Sequence, residues 1–311
     1  EVKEITKPTY GMKATEYITN LLEYDGEGLK IDNTPDENIR YYGSNPNNYV
    51  SFNNELWRII GVFGNNVKLV RSEKLGELSW DSSASSVNNG RGVNEWSQSD
   101  LKNYLNTMYY GGTSVTCYNG KYDQTTTCPT NRLDETSKSL IDNHIWNTGA
   151  PNDSTLYDST TNSYDTVEFY NAERGNVTGK ICNGGSACND TVERTTEWPG
   201  YIGLPYATDY AYASGESICE TNMVKQDSSN TYICKNNNWM FKPNTWYWTL
   251  SLDAYPSASR GVWLVYSDGH VGNINAAYGA AIFPAIYLKT DILIKSGTGT
   301  SSEPYILKAG S

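Results

Sequence analysis

The chain contains two histidines, His144 and His270, and His270 lies in a turn that also contains a serine and an aspartate. The turn Ser267-Asp268-Gly269-His270 supplies a hydroxyl, a carboxylate and an imidazole, the three groups of a hydrolytic triad. Neighbours in a tight turn rarely point at one another with the geometry that moves a proton from nucleophile to base. We therefore interpret His270 as a turn residue available for ligand contact, and His144, which lies among apolar residues, as a structural or surface residue.

Acidic side chains raise the question of glycoside cleavage, which needs two carboxylates in a cleft, one of them with a raised pKa. Asp253, Asp268, Glu216 and Glu220 are candidates, but an acidic chain produces such pairs by chance. A hydrolase that acts on glycans is kept as an alternative. We expect a non-enzymatic protein with no catalytic residue.

Six cysteines form three close pairs along the chain, and each pair brackets a short loop rich in Asn, Thr or Gly. The spacing is not that of a zinc knuckle and histidine is scarce, so the sequence argues against zinc. Local disulfides in an oxidising, extracytoplasmic environment are the better interpretation, although the sequence leaves the connectivity open. The close pairs are Cys117 with Cys128, Cys182 with Cys188, and Cys219 with Cys234.

No cofactor is expected, but a structural calcium ion in an acidic loop stays open. The segments Asp32-x-Thr-x-Asp36 and Asp81-Ser-Ser offer oxygen ligands. They lack the central Gly and the terminal Glu of an EF-hand loop. Nothing in their spacing predicts a metal ion.

Aromatic and amide side chains flank the turns near the C-terminus and form the candidate ligand-binding surface. Exposed aromatic rings beside amides suit stacking on a sugar ring or contact with a protein hot spot. Strand alternation puts Trp263 and Tyr266 on opposite faces, so both are exposed only if a bulge intervenes. The alternative, that these residues simply cover the sheet, stays open. The candidates are Asp253, Tyr255, Trp263, Tyr266, His270, Asn273, Asn275 and Tyr278.

Net charge and composition restrict the classes of partner. The 311 residues carry a net charge of −11 without a basic stripe that could neutralise phosphates, so no nucleic-acid partner is expected. An anionic membrane surface is disfavoured for the same reason, and no apolar run is long enough for direct membrane insertion. The 25 Tyr, set among small polar residues, suit a recognition surface. We therefore expect a host or microbial glycan or protein as the partner.

Apolar residues recur at helical spacing in several segments. The first segment carries one apolar stripe, which could pack on the rest of the chain or continue as a stalk. A capping pattern, Ser97-x-x-Asp100, opens the second helix, and Thr208 could cap the last. The predicted helices cover residues 13–25, 97–108, 134–147 and 209–213.

Strand-like runs occur early in the chain and again near its C-terminus. The early pair forms a hairpin around Gly64-Asn65-Asn66. In its first strand, alternation puts Ile60 and Val62 on one face and Trp57 with Ile59 on the other. The C-terminal runs predict four antiparallel strands. The predicted strands are residues 55–63, 67–71, 246–252, 262–266, 271–274 and 282–288.

The order of these elements predicts the fold class and the domain organisation. An early hairpin, helices, long polar loops and then strands indicate an α+β fold with helices segregated from one sheet. We find no internal repeat and no linker long enough to split the chain. We expect a lead-in and helix over residues 1–30, a possible stalk remnant, and one domain over residues 31–311.

Several motifs, taken together in this order, resemble a known family. They are RYYGSNPNNYVSFNNELWRIIGVF (40–63), VNEWSQSDLKNYLN (93–106), CNDTVERTTEWPGYIGLPYATDYAYA (188–213), CKNNNW (234–239), WTLS (248–251) and AYGAAIFPAIYLK (277–289). In these motifs the chain is similar to uncharacterised surface-protein domains of gut Gram-positive bacteria. The resemblance implies a C-type-lectin-like fold on an extracellular domain that is cell-surface anchored or secreted. It implies no established activity.

The chain departs from the relatives' motifs in two places. The family reads Tyr-Gly-Val-Arg-Pro before its last strand, whereas this chain reads YGAAIFP over residues 278–284 and lacks that Arg. The Glu-Pro-Asn and Trp-Asn-Asp motifs of calcium-dependent animal lectins are also missing. The nearest segment is Lys242-Pro-Asn244, and its Lys cannot bind calcium. A calcium-bridged sugar site is therefore not expected.

Three functions are compatible with these observations. The leading hypothesis is a non-enzymatic, bacterial ligand-binding or adhesive ectodomain whose site lies on the loops of residues 252–282. The second is a structural subunit of a pilin-like or surface assembly, with the aromatic face contacting its own neighbours. The third is the glycan-active hydrolase.

Overall fold

The computed structural model describes residues 6–26, 28–175, 195–225, 230–254 and 260–310 of the chain. A π-helical segment, Tyr104–Tyr110, extends α2, and short 3-10 turns cover Asn88–Gly90 and Trp96–Gln98. The α-helices are α1 (Ala14–Tyr24), α2 (Asp100–Asn103), α3 (Glu135–Ser139), α4 (Asp153–Leu156), α5 (Thr166–Glu173), α6 (Ala207–Tyr212), α7 (Ser217–Thr221) and α8 (Thr231–Asn236).

Short strands account for most of the regular structure, and the α+β class expected from the sequence is confirmed. The expectation of one sheet is wrong, because the described strands form a nine-stranded sheet, a five-stranded sheet and smaller ladders. The first strands are β1 (Leu29–Ile31), β2 (Ile39–Tyr41), β3 (Tyr49–Phe52), β4 (Glu55–Phe63), β5 (Asn66–Arg71), β6 (Glu77–Ser79), β7 (Cys117–Tyr118), β8 (Thr125–Thr126), β9 (His144–Asn147), β10 (Tyr157–Asp158) and β11 (Ser163–Asp165). The remaining strands are β12 (Glu197–Gly200), β13 (Ile202–Gly203), β14 (Asn222–Val224), β15 (Tyr247–Leu252), β16 (Gly261–Val265), β17 (Val271–Asn275), β18 (Gly279–Ala281), β19 (Ala285–Tyr287), β20 (Leu293–Ser296) and β21 (Tyr305–Lys308).

The larger sheet has nine strands within the described ranges, with β13-β19-β5-β4-β3-β21-β20 as its main order. The predicted early hairpin is confirmed, because β4 and β5 are antiparallel neighbours. The prediction that Ile60 and Val62 share a face is wrong. A register shift between Ile59 and Gly61 marks a bulge, which returns Val62 to the main core while Ile60 packs in a second one.

The smaller sheet has five strands in the described part of the chain, in the order β17-β16-β15-β18-β6. Three of the four predicted C-terminal strands are β15, β16 and β17, and they are antiparallel as expected. The fourth predicted strand forms, but it does not pair with the other three. Strand β19 belongs to the larger sheet, because Ile286 pairs with Leu69 of β5 on one side and Ile202 of β13 on the other.

The first predicted helix is confirmed as α1, and its apolar stripe packs on the rest of the chain. Ala14, Tyr17 and Ile18 are buried in the main core. The second predicted helix begins at Asp100 rather than at Ser97, because the hydroxyl of Ser99 accepts the backbone N–H of Lys102 at 3.2 Å.

The predicted helix over residues 134–147 is wrong beyond Ser139, where α3 ends. The remainder forms β9, which pairs antiparallel with β12. In this strand Trp146 is fully buried, whereas Ile145 is 49% exposed. The Thr208 cap is also wrong: α6 begins at Ala207, and the Thr208 hydroxyl donates to Glu173 Oε2 at 2.5 Å.

Two of the predicted disulfides are present, Cys117–Cys128 and Cys219–Cys234. Cys182 and Cys188 lie outside the described residues. Disulfides of this local kind are consistent with an oxidising, extracellular environment.

Within the described ranges, none of the helices is sufficiently long and apolar to cross a bilayer.

Candidate functional site

The hairpin of β16 and β17 brings several predicted residues together. Its turn is closed by a hydrogen bond from the Tyr266 N–H to the His270 carbonyl, at 2.9 Å. Gly269 has φ +93, in the left-handed region, which a residue with a Cβ adopts only with strain. Strand β17 is the edge of the smaller sheet, and most of its residues are half-buried. The hairpin therefore presents side chains of β17 to solvent.

A cleft of about 200 Å³ lies beside this hairpin, and we call it the hairpin cleft. One wall comes from the turn and β17. The other comes from α4, β11 and the residue that follows β14. The lining residues are Asp153, Tyr164, Lys225, Tyr266, His270, Val271, Gly272 and Asn273.

Three aromatic rings lie in contact on the hairpin side of the cleft, and we call them the aromatic stack, although only two of the three are parallel. Tyr266 stacks on the His270 ring with centroids 4.1 Å apart and an interplanar angle of 11°. Trp246 lies against the same tyrosine at 5.1 Å and is 43% exposed. Its indole N–H donates to the hydroxyl of Ser267 at 3.2 Å, which ties the ring to the turn. The stack gives an exposed apolar surface next to polar groups.

The three residues suggested by the triad pattern do not assemble as a triad. His270 Nδ1 lies 2.5 Å from Asp268 Oδ1. Burial alone would raise the pKa of Asp268, but hydrogen bonds from the backbone and ring of His270 hold it below its ordinary value. An ionised carboxylate can only accept, so Nδ1 is the donor. Among the described contacts, Ser267 bonds to Trp246 and not to His270.

Polar groups line the opposite wall. Asp153 Oδ1 accepts a hydrogen bond from the Tyr164 hydroxyl at 2.6 Å and lies 3.5 Å from Lys225 Nζ. The Lys225 ammonium also lies 3.9 Å above the centre of the Tyr157 ring. Burial, then the charge of Asp153, raises the pKa of Tyr164 well above its ordinary value. This wall thus offers a partly exposed carboxylate and ammonium, at 24% and 31% exposure.

Asp253 lies behind this wall instead of on it. It is buried, and its Oδ1 accepts the backbone N–H of Asp153 at 3.2 Å, at the start of α4. Its carboxylate therefore positions the residue that lines the cleft. The structure therefore does not support a direct contact between Asp253 and a ligand in the cleft.

The predicted exposure of Trp263 is wrong, because its ring is fully buried. Tyr164 meets it edge-on at 5.1 Å between centroids, and Phe169 of α5 does so at 4.8 Å. Its indole N–H points to the Pro151 carbonyl at 3.4 Å. Trp263 is thus a core residue that supports Tyr164, itself part of the cleft lining.

The other sequence candidates divide between the cleft and the far end of β17. Asn273 lines the cleft beside Tyr266. Asn275 instead accepts the Arg260 side-chain N–H at 2.8 Å, and Tyr278 is 41% exposed beyond the strand. Neither contributes to the lining. Tyr255 lies outside the described residues.

Sequence reasoning missed Asp153, Tyr164, Lys225 and Trp246. The segment of residues 150–165 is rich in Ser, Thr, Asn and Asp and has no periodicity, so its sequence pattern indicates only a surface loop. The signal that could have drawn attention to it is Tyr157 with Tyr164, two large rings in a run of Ser, Thr, Asn and Asp. Such rings need a surface to cover or a ligand to contact.

Metal ligation has no candidate among the residues that the structure describes. Among these residues, no group of three or more His, Cys, Asp or Glu side chains is arranged so that it could hold a metal ion.

His144 lies away from the hairpin. Its ring stacks on Tyr287 at 3.7 Å between centroids, and its Nδ1 lies 3.2 Å from Asp142 Oδ2.

A wider groove of about 720 Å³ lies elsewhere on the surface, beside α3. Two of its residues, Tyr110 and Tyr201, stack face to face with centroids 4.2 Å apart and planes 9° from parallel. The hairpin cleft is the better candidate because its rings and its charged groups face each other across a confined space.

Comparison of the chain with family models, with curated proteins and with solved structures finds no match to any of them.

Proposed function

We propose that this chain is a non-enzymatic ligand-binding domain that recognises a glycan through the hairpin cleft. The observation that carries the proposal is the pairing of an aromatic stack with polar groups across one confined space. Tyr266, with the exposed Trp246 beside it, offers an aromatic ring on one side, and Asp153 with Lys225 offers a carboxylate and an ammonium on the other. The C–H face of a sugar ring can stack on the former while its hydroxyls bond to the latter.

The size of the cleft favours a sugar over a folded protein as the group that enters it. A volume of about 200 Å³ is below the usual range for drug-sized ligands and suits one or two sugar rings. A stable protein interface is an extended surface of roughly 800 Å² on each partner. A glycan on a host or microbial surface therefore fits better than a protein epitope.

The finer fold and the location belong to the same proposal. We assign the chain a C-type-lectin-like fold on a bacterial surface, as its motifs suggest. An α+β architecture with disulfide-closed loops supports this assignment. No calcium is required, because the cleft's own ammonium, carboxylate and amide groups bind the hydroxyls.

The proposal is tested by glycan-array screening followed by calorimetric titration of the glycan that binds. Tyr266→Ala should weaken binding at least tenfold, about 1.4 kcal/mol, because the stacking surface is lost. Tyr232→Ala is the matched control: Tyr232 is 69% exposed and lies on α8, outside the cleft lining. The control should bind like the wild type.

Other outcomes would contradict the proposal and favour its alternatives. If the Tyr266→Ala variant binds the glycan as tightly as the wild type, the hairpin cleft is not the binding site. Concentration-dependent assembly in scattering, together with an array on which nothing binds, would favour a structural subunit. Cleavage of a bound glycan would favour the hydrolase.

A further inference from the structure

The charged groups around the hairpin cleft are mostly acidic. Asp153 lines one wall, and Asp253 lies directly behind it, where its Oδ1 accepts the Asp153 N–H at 3.2 Å. Asp268 lies in the turn on the other side, and its side chain is 53% exposed. Among the described lining residues, Lys225 is the one that carries an ammonium or guanidinium group. Three carboxylates therefore lie around a space that has one such cation.

The ammonium of Lys225 is already engaged by groups of the protein. It lies 3.5 Å from Asp153 Oδ1, and the same oxygen accepts the Tyr164 hydroxyl at 2.6 Å. The centres of the Tyr157 and Tyr164 rings lie 3.9 and 5.6 Å from it. A carboxylate on a ligand would have to approach this ammonium beside Asp153, a group of its own sign. Attraction and repulsion then largely cancel, because they act over similar distances.

Two tyrosines that line the cleft respond to these charges. Burial raises the pKa of Tyr164, and the charge of Asp153, followed by that of Asp253, raises it further. On the other wall, burial and then the charge of Asp268 raise the pKa of Tyr266. A phenol resists ionisation where neighbouring groups are negative. Both walls therefore disfavour a further negative charge in the cleft.

We propose that the hairpin cleft binds uncharged sugars, such as hexoses and N-acetylhexosamines, and rejects sugars that carry a carboxylate, such as sialic and uronic acids. This inference rests on the proposed glycan-binding function and names the class of glycan. Hydroxyls and amides can donate to Asp153 and accept from Lys225 without separating the pair. The face of Tyr266 is available to both classes of sugar, so the charges of Asp153 and Asp268 make the distinction.

The test uses methyl glycosides in matched pairs that differ by one charge. The pairs are the glucuronide with the glucuronamide, and the galacturonide with the galacturonamide. A carboxamide has the shape of a carboxylate, so the ratio of the two affinities isolates the charge. NMR chemical-shift titration measures the weak binding of single sugars. The carboxamide should bind about tenfold more tightly at low salt, and added salt should reduce this preference because it screens the charges.

Two variants each remove a negative charge from one side of the cleft. Asp153→Asn and Asp268→Asn should each reduce the preference for the carboxamide about threefold, because less repulsion then acts on the carboxylate. Glu16→Gln is the matched control: Glu16 is exposed on α1, outside the cleft lining. The control should keep the preference of the wild type.

The possible failures are distinguishable. A uronate that binds the hairpin cleft as tightly as its carboxamide would overturn the inference and leave the glycan-binding function in place. A preference that is unchanged in both Asp variants would also overturn it, because the distinction would then not come from these charges. If neither member of a pair shifts the resonances of the cleft residues and the array gives no binding glycan, the proposed function fails and this inference fails with it.

Discussion

Two tryptophans near the hairpin cleft have opposite environments. Trp246 is 43% exposed and lies tilted against Tyr266, whereas Trp263 is fully buried beneath Tyr164 and Phe169. The first is available to a ligand. The second holds the smaller sheet against β11 and α5, so its contribution is to stability.

Replacing each tryptophan by alanine separates these roles. Trp263→Ala should lower the free energy of unfolding by about 3–5 kcal/mol, since a large buried ring leaves a cavity. Trp246→Ala should lower it by less than about 1 kcal/mol, because nearly half of its surface stays in contact with solvent and the ring is not part of the core. Urea denaturation followed by circular dichroism measures both. Similar small losses for the two variants would show that Trp263 is not buried in solution.

At the residue scale, the sequence identified one wall of the cleft and missed the other. Tyr266, His270 and Asn273 were predicted together because a turn and its flanking strands keep near neighbours close. Trp263 was misjudged because the residues that cover it lie about a hundred positions earlier. Alternation gives the face of a strand, but only distant segments decide whether that face is covered.

Among the elements, the long loop before α2 is tied together by the buried carboxylate of Asp81, one of several side chains that bond across this loop. Asp81 Oδ2 accepts the Val93 N–H at 2.7 Å, and Oδ1 accepts the Asp100 N–H at 3.2 Å. Burial raises the pKa of Asp81 to about 7, helped by the charges of Asp100 and Asp123, although the two backbone bonds oppose the shift. The folded state therefore holds a proton on this loop that the unfolded chain releases.

This proton makes the stability of the chain depend on pH with a definite sign. The folded pKa is above the unfolded value, so the stabilisation is complete below about pH 4 and is lost as pH rises through about 7. Relative to an Asp81→Asn variant, the wild type should lose about 3–4 kcal/mol over this range. Denaturation at a series of pH values gives the difference. If the difference in free energy of unfolding between wild type and variant does not change with pH, or if the wild type gains stability as pH rises, the raised pKa of Asp81 would be contradicted.

Strand β9 shows why some elements could not be predicted from local sequence. The residues from Asp134 to Asn147 have apolar spacing that fits a helix, and its first turns do form as α3. Beyond Ser139 the backbone instead pairs with β12, about fifty residues later in the chain. A non-local ladder of this kind overrides a weak helical preference. The π-helical stretch after α2 also gave no local signal.

For the whole molecule, buried charges join parts of the fold that are far apart in sequence. Asp209 of α6 accepts from Arg40 of β2 at 2.5 Å and from Lys68 of β5 at 2.6 Å. Asp32 accepts from the same arginine at 2.8 Å. Burial alone would raise the pKa of Asp209, but the two cations hold it below its ordinary value. These contacts fix α6 on the larger sheet.

The α+β class could be predicted because helical and strand periodicities are both strong in the sequence. The division of the strands between two sheets could not be predicted. Strands β18 and β19 are adjacent in sequence, yet they pair in different sheets. The hairpin cleft forms where the smaller sheet meets β11. Its existence therefore depends on long-range packing that no local pattern encodes.

The central claim is that a sugar binds between the aromatic stack and the Asp153–Lys225 pair. The most direct test is a crystal structure of the chain with the tightest-binding glycan from the array. We expect a sugar ring on the face of Tyr266, with hydroxyls within hydrogen-bond distance of the Asp153 carboxylate and the Lys225 ammonium. A glycan bound elsewhere, with the hairpin cleft filled only by water, would contradict the account.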